Sequence, residues 1–295
     1  MAQPDWVGPL AGPTPTPPPP PSLLTDVTSR DGAWSATLGL DPEDPYYFDH
    51  PLDHVPGMAL VGGLLDLLQA AGPARPDRAR RWALALRLPA FCEPDEPVRL
   101  ESEPADGAGP VGVLVRQDER VVCEGTVTVS PALPPAAVAV PPGPVPPPAP
   151  AALVHRHRAE NVMVSRMSGT GDEPRTAAVL RPAPPHRLGG GPGTPLPAEA
   201  VIEAARQLAE MISHVEHGIP AGDCFVLLGL QAELPGELPP GVHLRWRPTP
   251  ARSGRTSMDL EVVPGDPAGV ADGWVRLSYA AVPPKVYDRL RRRSR

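Results

Sequence analysis

An α+β fold built twice within one chain is what this sequence predicts, and three observations predict it. Proline divides the chain. Of 295 residues 47 are Pro, crowded into a run ending at Pro17–Pro21 and a second stretch from Ser130 to Pro150, where such density allows neither helix nor central strand. The two blocks left between them, about 22–130 and 151–290, each carry one helical segment early. In both, that segment is followed by short runs with the two-residue alternation of strands.

In the first block Gly32–Leu40 alternates as a strand, with Trp34, Ala36 and Leu38 on one face. Asp49-His50-Pro51-Leu52-Asp53-His54-Val55-Pro56-Gly57-Met58 then runs into the apolar segment Ala59–Leu68. Pro suits the first turn of a helix, where its missing N–H would have no partner, and a helix apolar all round must be buried on every side. Strand patterns follow at Arg81–Leu88, Val98–Ser102, Gly112–Arg116 and Arg120–Val129, the last two joined as a hairpin at Gln117-Asp118-Glu119. The second block offers strands at Asn161–Ser165 and Thr176–Leu180. A helix follows from about Pro197 to His217, with Val201, Ala204, Ala205, Leu208, Met211, Ile212 and Val215 at spacings of three and four and Gly218 ending it. Further strands are predicted at Cys224–Leu230, Val242–Arg247, Met258–Val263 and Trp274–Ala281. An antiparallel sheet wrapped around one apolar helix is the hotdog fold, so the prediction is a tandem hotdog: two units packed as an internal pseudo-dimer.

The expected organisation is a disordered or polyproline II tail (1–21), unit one (22–130), a Pro-rich semi-rigid spacer (131–150), unit two (151–290) and a basic tail (291–295). A net charge of −7 argues against nucleic acid as the main partner. No basic and apolar leader is visible at the N-terminus, and the apolar run 55–68 is too short to span a bilayer; a soluble cytoplasmic protein is expected. Cys92, Cys123 and Cys224 lack C-x-x-C spacing and read as core residues in a reducing compartment. Missing Gly-rich loops argue against nucleotide binding, and no cofactor is expected.

Two His and two Asp at the mouth of a buried helix form a place where desolvation tunes a pKa; the plainer alternative is a turn that merely caps the helix. His155 and His157 share a strand face without a carboxylate or Cys at ligand spacing. His214 and His217 with Glu210 imitate a metal face, but without H-E-x-x-H they read as helix-end histidines favoured by the dipole, and no metal site is expected. Lys285, Arg289, Arg291–Arg293 and Arg295 form a basic end, either solvated or a dock for an acidic partner.

At these residues the chain resembles a known family. The turn from Phe48 to Met58 is similar to the signature of the AfsA-type (A-factor biosynthesis) hotdog family. So is Ile202-Glu203-Ala204-Ala205-Arg206-Gln207 with His214-x-x-His217-Gly218-Ile219-Pro220. Val154-His155-Arg156 with Asn161–Val164 resembles the opening of a family repeat, and Pro284-x-x-Tyr287-x-Arg289-Leu290 its close. The resemblance implies transfer of a β-ketoacyl group from acyl carrier protein to the hydroxyl of dihydroxyacetone phosphate, a small phosphorylated acceptor, in γ-butyrolactone signal biosynthesis. Two departures stand out: the repeat with the His/Asp turn comes first rather than second, and its helix has Gly62, Gly63, Leu64, Leu65 and Asp66 where E-A-A-R-Q is usual.

Hotdog acyl-thioester enzymes build each site across paired units. That implies one composite site, with His50 or His54 from block one facing Glu203 and Arg206 from block two, while the reciprocal site at Gly62 is dead. In the live site Glu203, its pKa raised by burial, is the expected general base on the alcohol, and His54 polarises the thioester or shuttles the proton. Arg206, three residues on, holds a phosphate or neutralises Glu203. Gln207 and Asp53 are the other expected substrate contacts, and Gln207 and Glu210 extend the polar stripe. An ordinary solvated helix face is the alternative. A dehydratase or thioesterase, or a non-catalytic acyl-binding protein, remains open beside the acyltransferase, as does further self-association of the pseudo-dimer.

Overall fold

The computed structural model describes residues 22–71, 80–104, 109–131, 146–182, 186–189, 194–249 and 255–294. The expected Pro-rich tail and residues 132–145 of the expected spacer lie outside them. Unit one runs β1 (Leu24–Arg30), β2 (Ala33–Leu38), α1 (Gly57–Ala70), β3 (Arg80–Arg87), β4 (Arg99–Ser102), β5 (Val111–Gln117) and β6 (Arg120–Pro131). Unit two runs β7 (Arg175–Ala178), β8 (Leu196–Pro197), α2 (Ala198–Val215), β9 (Cys224–Pro235), β10 (Glu237–Leu238), β11 (Val242–Trp246), β12 (Arg255–Pro264), β13 (Trp274–Val282) and α3 (Pro284–Ser294).

One antiparallel sheet takes in all the strands but the short β8–β10 pair, in the order β1-β2-β4-β5-β6-β3-β9-β13-β12-β11-β7. Read outward from its middle, the sheet repeats itself: β3, β6, β5, β4, β2 on one side and β9, β13, β12, β11, β7 on the other. The seam is the β3–β9 ladder, from Arg81 opposite Pro235 to Arg87 opposite Gly229. The expected tandem hotdog is therefore present as two units sharing one sheet.

Each unit wraps its own helix. α1 buries everything from Met58 to Leu68 except Asp66, as its nearly uninterrupted apolar sequence requires; each large apolar side chain so buried contributes about 1.5–3 kcal/mol. α2 differs in kind. Its apolar stripe is buried as predicted, but so are Glu199, Glu203, Gln207, Glu210 and Ser213. The solvated helix face offered as the alternative is ruled out, and these polar groups need internal partners. Gly218, at φ +66°, turns the chain away after the helix.

Several boundaries differ from expectation. β1 was not anticipated; its sequence LTDVTSR lacks an apolar face, and it pairs with β2 across a bulge between Thr25 and Thr28 at the sheet's edge. Asn161–Ser165 is not a strand but a 3-10 turn over Ala159–Asn161 followed by single bridges, Val164 to Val179 and Ser165 to Pro148. The end of the expected spacer is thus packed: Ala149 is buried and its N–H donates to the Val164 carbonyl at 3.0 Å. The expected basic tail belongs to α3, whose Arg291 is buried.

Candidate active site

The turn of unit one is stitched to the opening segment of unit two. Asp49 accepts hydrogen bonds from the His157 and Arg158 backbone N–H groups and from Asn161 Nδ2, the last at 2.7 Å. Asn161 Nδ2 also donates to the Pro45 carbonyl, and Arg156 Nη1 to that of Tyr46, each at 2.7 Å. Arg156 lies over the Tyr46 ring, 5.0 Å from its centre. These contacts bring His50 beside His157, ring centres 4.9 Å apart, and set the unit-one turn against α2.

A cavity of about 420 Å³ opens at this junction. Leu60, Leu88, Phe91, Leu227 and Leu277 give it an apolar wall, while His50, His54, His155, Arg206 and Glu210 give it a titratable one. Both units contribute to each wall. Of the expected residues, His50, His54 and Arg206 are therefore brought together, and Glu203, Gln207 and Asp53 do not line the cavity.

Glu203 is fully buried. Its Oε1 accepts from Arg156 Nη2, Arg206 Nη2 and Gln207 Nε2, each at 2.7 Å, and its Oε2 from Arg206 Nε at 2.9 Å. Burial alone would raise its pKa, but the two guanidiniums overcome that and hold it well below the usual carboxylate range. The expected general base with a raised pKa is thus an ion-paired anchor. Gln207 is equally committed: its Oε1 accepts from the Met163 N–H at 2.8 Å and its Nε2 also donates to the Asn161 carbonyl at 2.8 Å. It splices α2 to the opening segment and has no amide group left for a substrate. Arg206 gives Nε and Nη2 to Glu203 and Nη1 to Glu210, the neutralising part that the sequence reading also offered.

Asp53 is occupied as well. It accepts from Tyr287 Oη at 2.6 Å and Arg291 Nε at 2.9 Å, both on α3, and these bonds with that of His54 outweigh its partial burial to hold it well below the usual carboxylate range. It clasps α3 rather than a ligand. His54 Nδ1 lies 2.9 Å from Asp53 Oδ1 and 3.0 Å from Tyr287 Oη. Because the tyrosine proton goes to Asp53, Nδ1 carries the imidazole proton, and a neutral ring keeps its Nε2 lone pair open. The expected approach of His54 to Glu203 or Arg206 is not made; its polar partners are Asp53 and Tyr287, and Phe91 packs its ring edge-on.

Two groups on the cavity wall were given lesser parts by the sequence. Glu210, one turn beyond Arg206, shares only Oε1 with that arginine; its Oε2 is buried and has no hydrogen-bond partner among the described residues. Burial outweighs Arg206, and the carboxyl is pushed up to about 7. His155 stands at φ +48°, outside regular structure, with its Nε2 2.9 Å from His214 Nε2. His214 Nδ1 donates to the Ile219 carbonyl at 2.7 Å, so its Nε2 accepts, and His155 must donate. Burial and the neighbouring His214 and Arg206 push His155 down to about 4. Position on a stripe made Glu210 findable; the His155–His214 contact spans 59 residues and left no local signal. Among the described residues no three His, Cys, Asp or Glu converge as metal ligands, and no helix is long and apolar enough to cross a membrane.

The reciprocal location is filled. A Cβ on Gly62 would lie 2.7 Å from both Glu199 Oε1 and Tyr47 Oη. Tyr47 donates to Glu199 at 2.6 Å, and Arg187 bridges Glu199 and Asp66 at 3.3 and 2.9 Å. An acid from α2 packs against Gly62, so a glutamate side chain there would collide with it. His186 packs on Tyr46 with ring centres 4.6 Å apart.

Comparison with known proteins agrees with this architecture. The dehydratase domain of RzxB from Pseudomonas fluorescens superposes with a TM-score of 0.61 at 16% identity, covering 87% of this chain and 98% of that one. The CurJ dehydratase domain of curacin polyketide synthase gives 0.61 at 12% identity over 90% and 97%. A thioesterase-like protein from Novosphingobium aromaticivorans gives 0.57 at 18% over 88% and 98%. Identities this low speak for the fold alone. A 2-oxo-3-(phosphooxy)propyl 3-oxoalkanoate synthase from Streptomyces virginiae is 34% identical over 124 residues, 39% of this chain and 41% of that protein's length. The model of the AfsA family, the A-factor biosynthesis hotdog domain, matches residues 22–132 and 139–266, most of both units. On that match the chain belongs to the AfsA family.

Proposed function

We propose that this chain is an acyltransferase that moves a β-ketoacyl group from acyl carrier protein to the hydroxyl of dihydroxyacetone phosphate, in γ-butyrolactone signal biosynthesis. The observation that carries the reading is the cavity at the unit junction, where an apolar wall suited to an acyl chain meets titratable side chains from both units. The name of the Streptomyces virginiae relative describes an ester joining a 3-oxoalkanoate to a phosphorylated keto alcohol, and that reaction suits such a cavity.

In the proposed reaction the acceptor hydroxyl attacks the thioester carbonyl. A C–O bond forms, the C–S bond breaks, and the hydroxyl proton passes through a wall group to the departing thiolate. His50 and His54 line the unit-one side of the cavity, where the thioester is held. Glu203 acts at one remove, fixing Arg206 against Glu210. With Arg206 committed, Arg293 is the cation offered to the acceptor phosphate: it lines the cavity and has no ion-pair partner among the described residues.

The test is mass spectrometry of products after mixing the protein with β-ketoacyl carrier protein, with and without dihydroxyacetone phosphate. The phosphorylated ester should appear only when all three are present. Free β-keto acid alone would replace this reading by a thioesterase. Recovery of unchanged thioester bound to protein would replace it by a non-catalytic acyl-binding role.

A further inference from the structure

Proton transfer in this cavity needs a group that is reachable, has an open lone pair and changes protonation under working conditions. Glu203 fails on the first two counts, being sealed in by Arg156, Arg206 and Gln207. His155 donates through Nε2 to His214 and, pushed down to about 4, does not change protonation under working conditions. His50 leans on His157, and its Nδ1 is buried without a partner among the described residues, so protonation there would place a cation within reach of the guanidiniums of Arg156 and Arg206. On the α2 side of the cavity Glu210 fits these needs best. It lines the cavity, is shielded from bulk water, and keeps one carboxylate oxygen unpartnered while Arg206 anchors the other.

Resting on the ester-forming reading above, we propose that Glu210, and not the motif residue Glu203, is the catalytic residue that takes the acceptor's proton and returns it to the leaving thiolate. The hydroxyl O–H bond breaks toward Glu210 Oε2 as the oxygen attacks the thioester carbon. The resulting carboxylic acid then protonates the sulfur as the C–S bond breaks, so that Glu210 ends as it began and no further reactant is needed. Glu203 is a positioning residue. It holds Arg206, with Arg156 behind it, in the geometry that pins Glu210 Oε1 and leaves Oε2 for the substrate. Arg206 and Glu203 of α2, Arg156 of the opening segment and Tyr279 of β13 are the ionisable groups that bear on Glu210; with burial they place its titration at about 7, where both halves of the cycle are served.

The experiment is kcat/KM against pH for ester formation by the wild-type chain and by Glu210→Gln, Glu210→Asp and Glu203→Gln. Wild type should show activity rising as pH passes through about 7, as Glu210 loses its proton. Glu210→Gln should lose on the order of 10²–10⁴ in rate and lose that rising limb. Glu210→Asp should recover part of both. Glu203→Gln should be slower yet keep a limb, because it acts through Arg206. A Glu210→Gln variant within a few fold of wild type, or a limb that vanishes only in Glu203→Gln, overturns the assignment while leaving ester synthesis intact. Wild type that makes no ester overturns both readings. Should Glu210→Gln fail to fold, the carboxyl carbon resonance of Glu210 in the wild-type chain decides: titration near 7 supports the role, and titration near the ordinary 4.5 refutes it.

Discussion

Replacing Arg291 with Ala should release α3 from the body of the protein while leaving both hotdog units folded. Arg291 Nη1 and Nη2 donate to Glu93 Oε1 and Oε2 at 2.8 and 2.7 Å, with both side chains buried. Its Nε reaches Asp53 at 2.9 Å, and the guanidinium lies 4.7 Å over the Phe91 ring. Stripping one partner from a buried ion pair costs about 3–5 kcal/mol, because the other charge is left behind. Arg120, 3.9 Å from Glu93, softens that toward the lower figure. The Asp53 bond adds little, since that carboxylate is half exposed. A loss of about 3 kcal/mol corresponds to roughly a hundredfold in the docking equilibrium of α3. Hydrogen exchange read by mass spectrometry should show faster exchange of about that size confined to 284–294, with the urea midpoint of the main transition nearly unmoved. Because Leu290 and Arg293 leave the cavity wall with the helix, KM should rise more than kcat falls. Unchanged exchange in 284–294 would refute the clasp.

Gly62→Ala should destabilise by about 1–2 kcal/mol in urea unfolding, overpacking against the pinned Tyr47 and Glu199 outweighing the better helix propensity of Ala; Gly222→Ala, whose Cβ meets nothing within 4 Å, should be neutral, and equal effects would undo the packing argument. Glu203→Ala should cost about 3–5 kcal/mol by stranding Arg156 and Arg206 in the interior, and a double-mutant cycle with Arg156→Met should return much of that loss if the pair is coupled as its 2.7 Å contact indicates.

Some of this was legible in the sequence for plain physical reasons. An apolar run such as that in α1 can only be a buried helix, and the stripe of α2 repeats at helical spacing, so the two helices and most strands could be read directly. β1 and α3 could not. β1 is an exposed edge whose partner, not its side chains, makes it a strand, and α3 is held by a guanidinium among carboxylates where pattern reading looks for hydrocarbon. β9 runs five residues past its expected end because β3 of the other unit pairs with it there. The site followed the same division. The His/Asp turn and the α2 stripe were visible as places. Which carboxylate is neutralised depends on Arg156, 47 residues from Glu203, and no local pattern carries that information.

The β3–β9 seam has a consequence for how such a molecule can change over time. In a dimer of identical hotdog units every substitution is made twice, so a helix cannot lose its acid at one junction and keep it at the other. Joining the halves by a backbone ladder within one polypeptide lifts that constraint. Here one central helix has become almost purely hydrocarbon, with glycine where a side chain would collide, and the other has gathered a buried string of charge. One half serves as a wall and the other as a workbench, a division of labour open only to copies that are inherited together and altered separately.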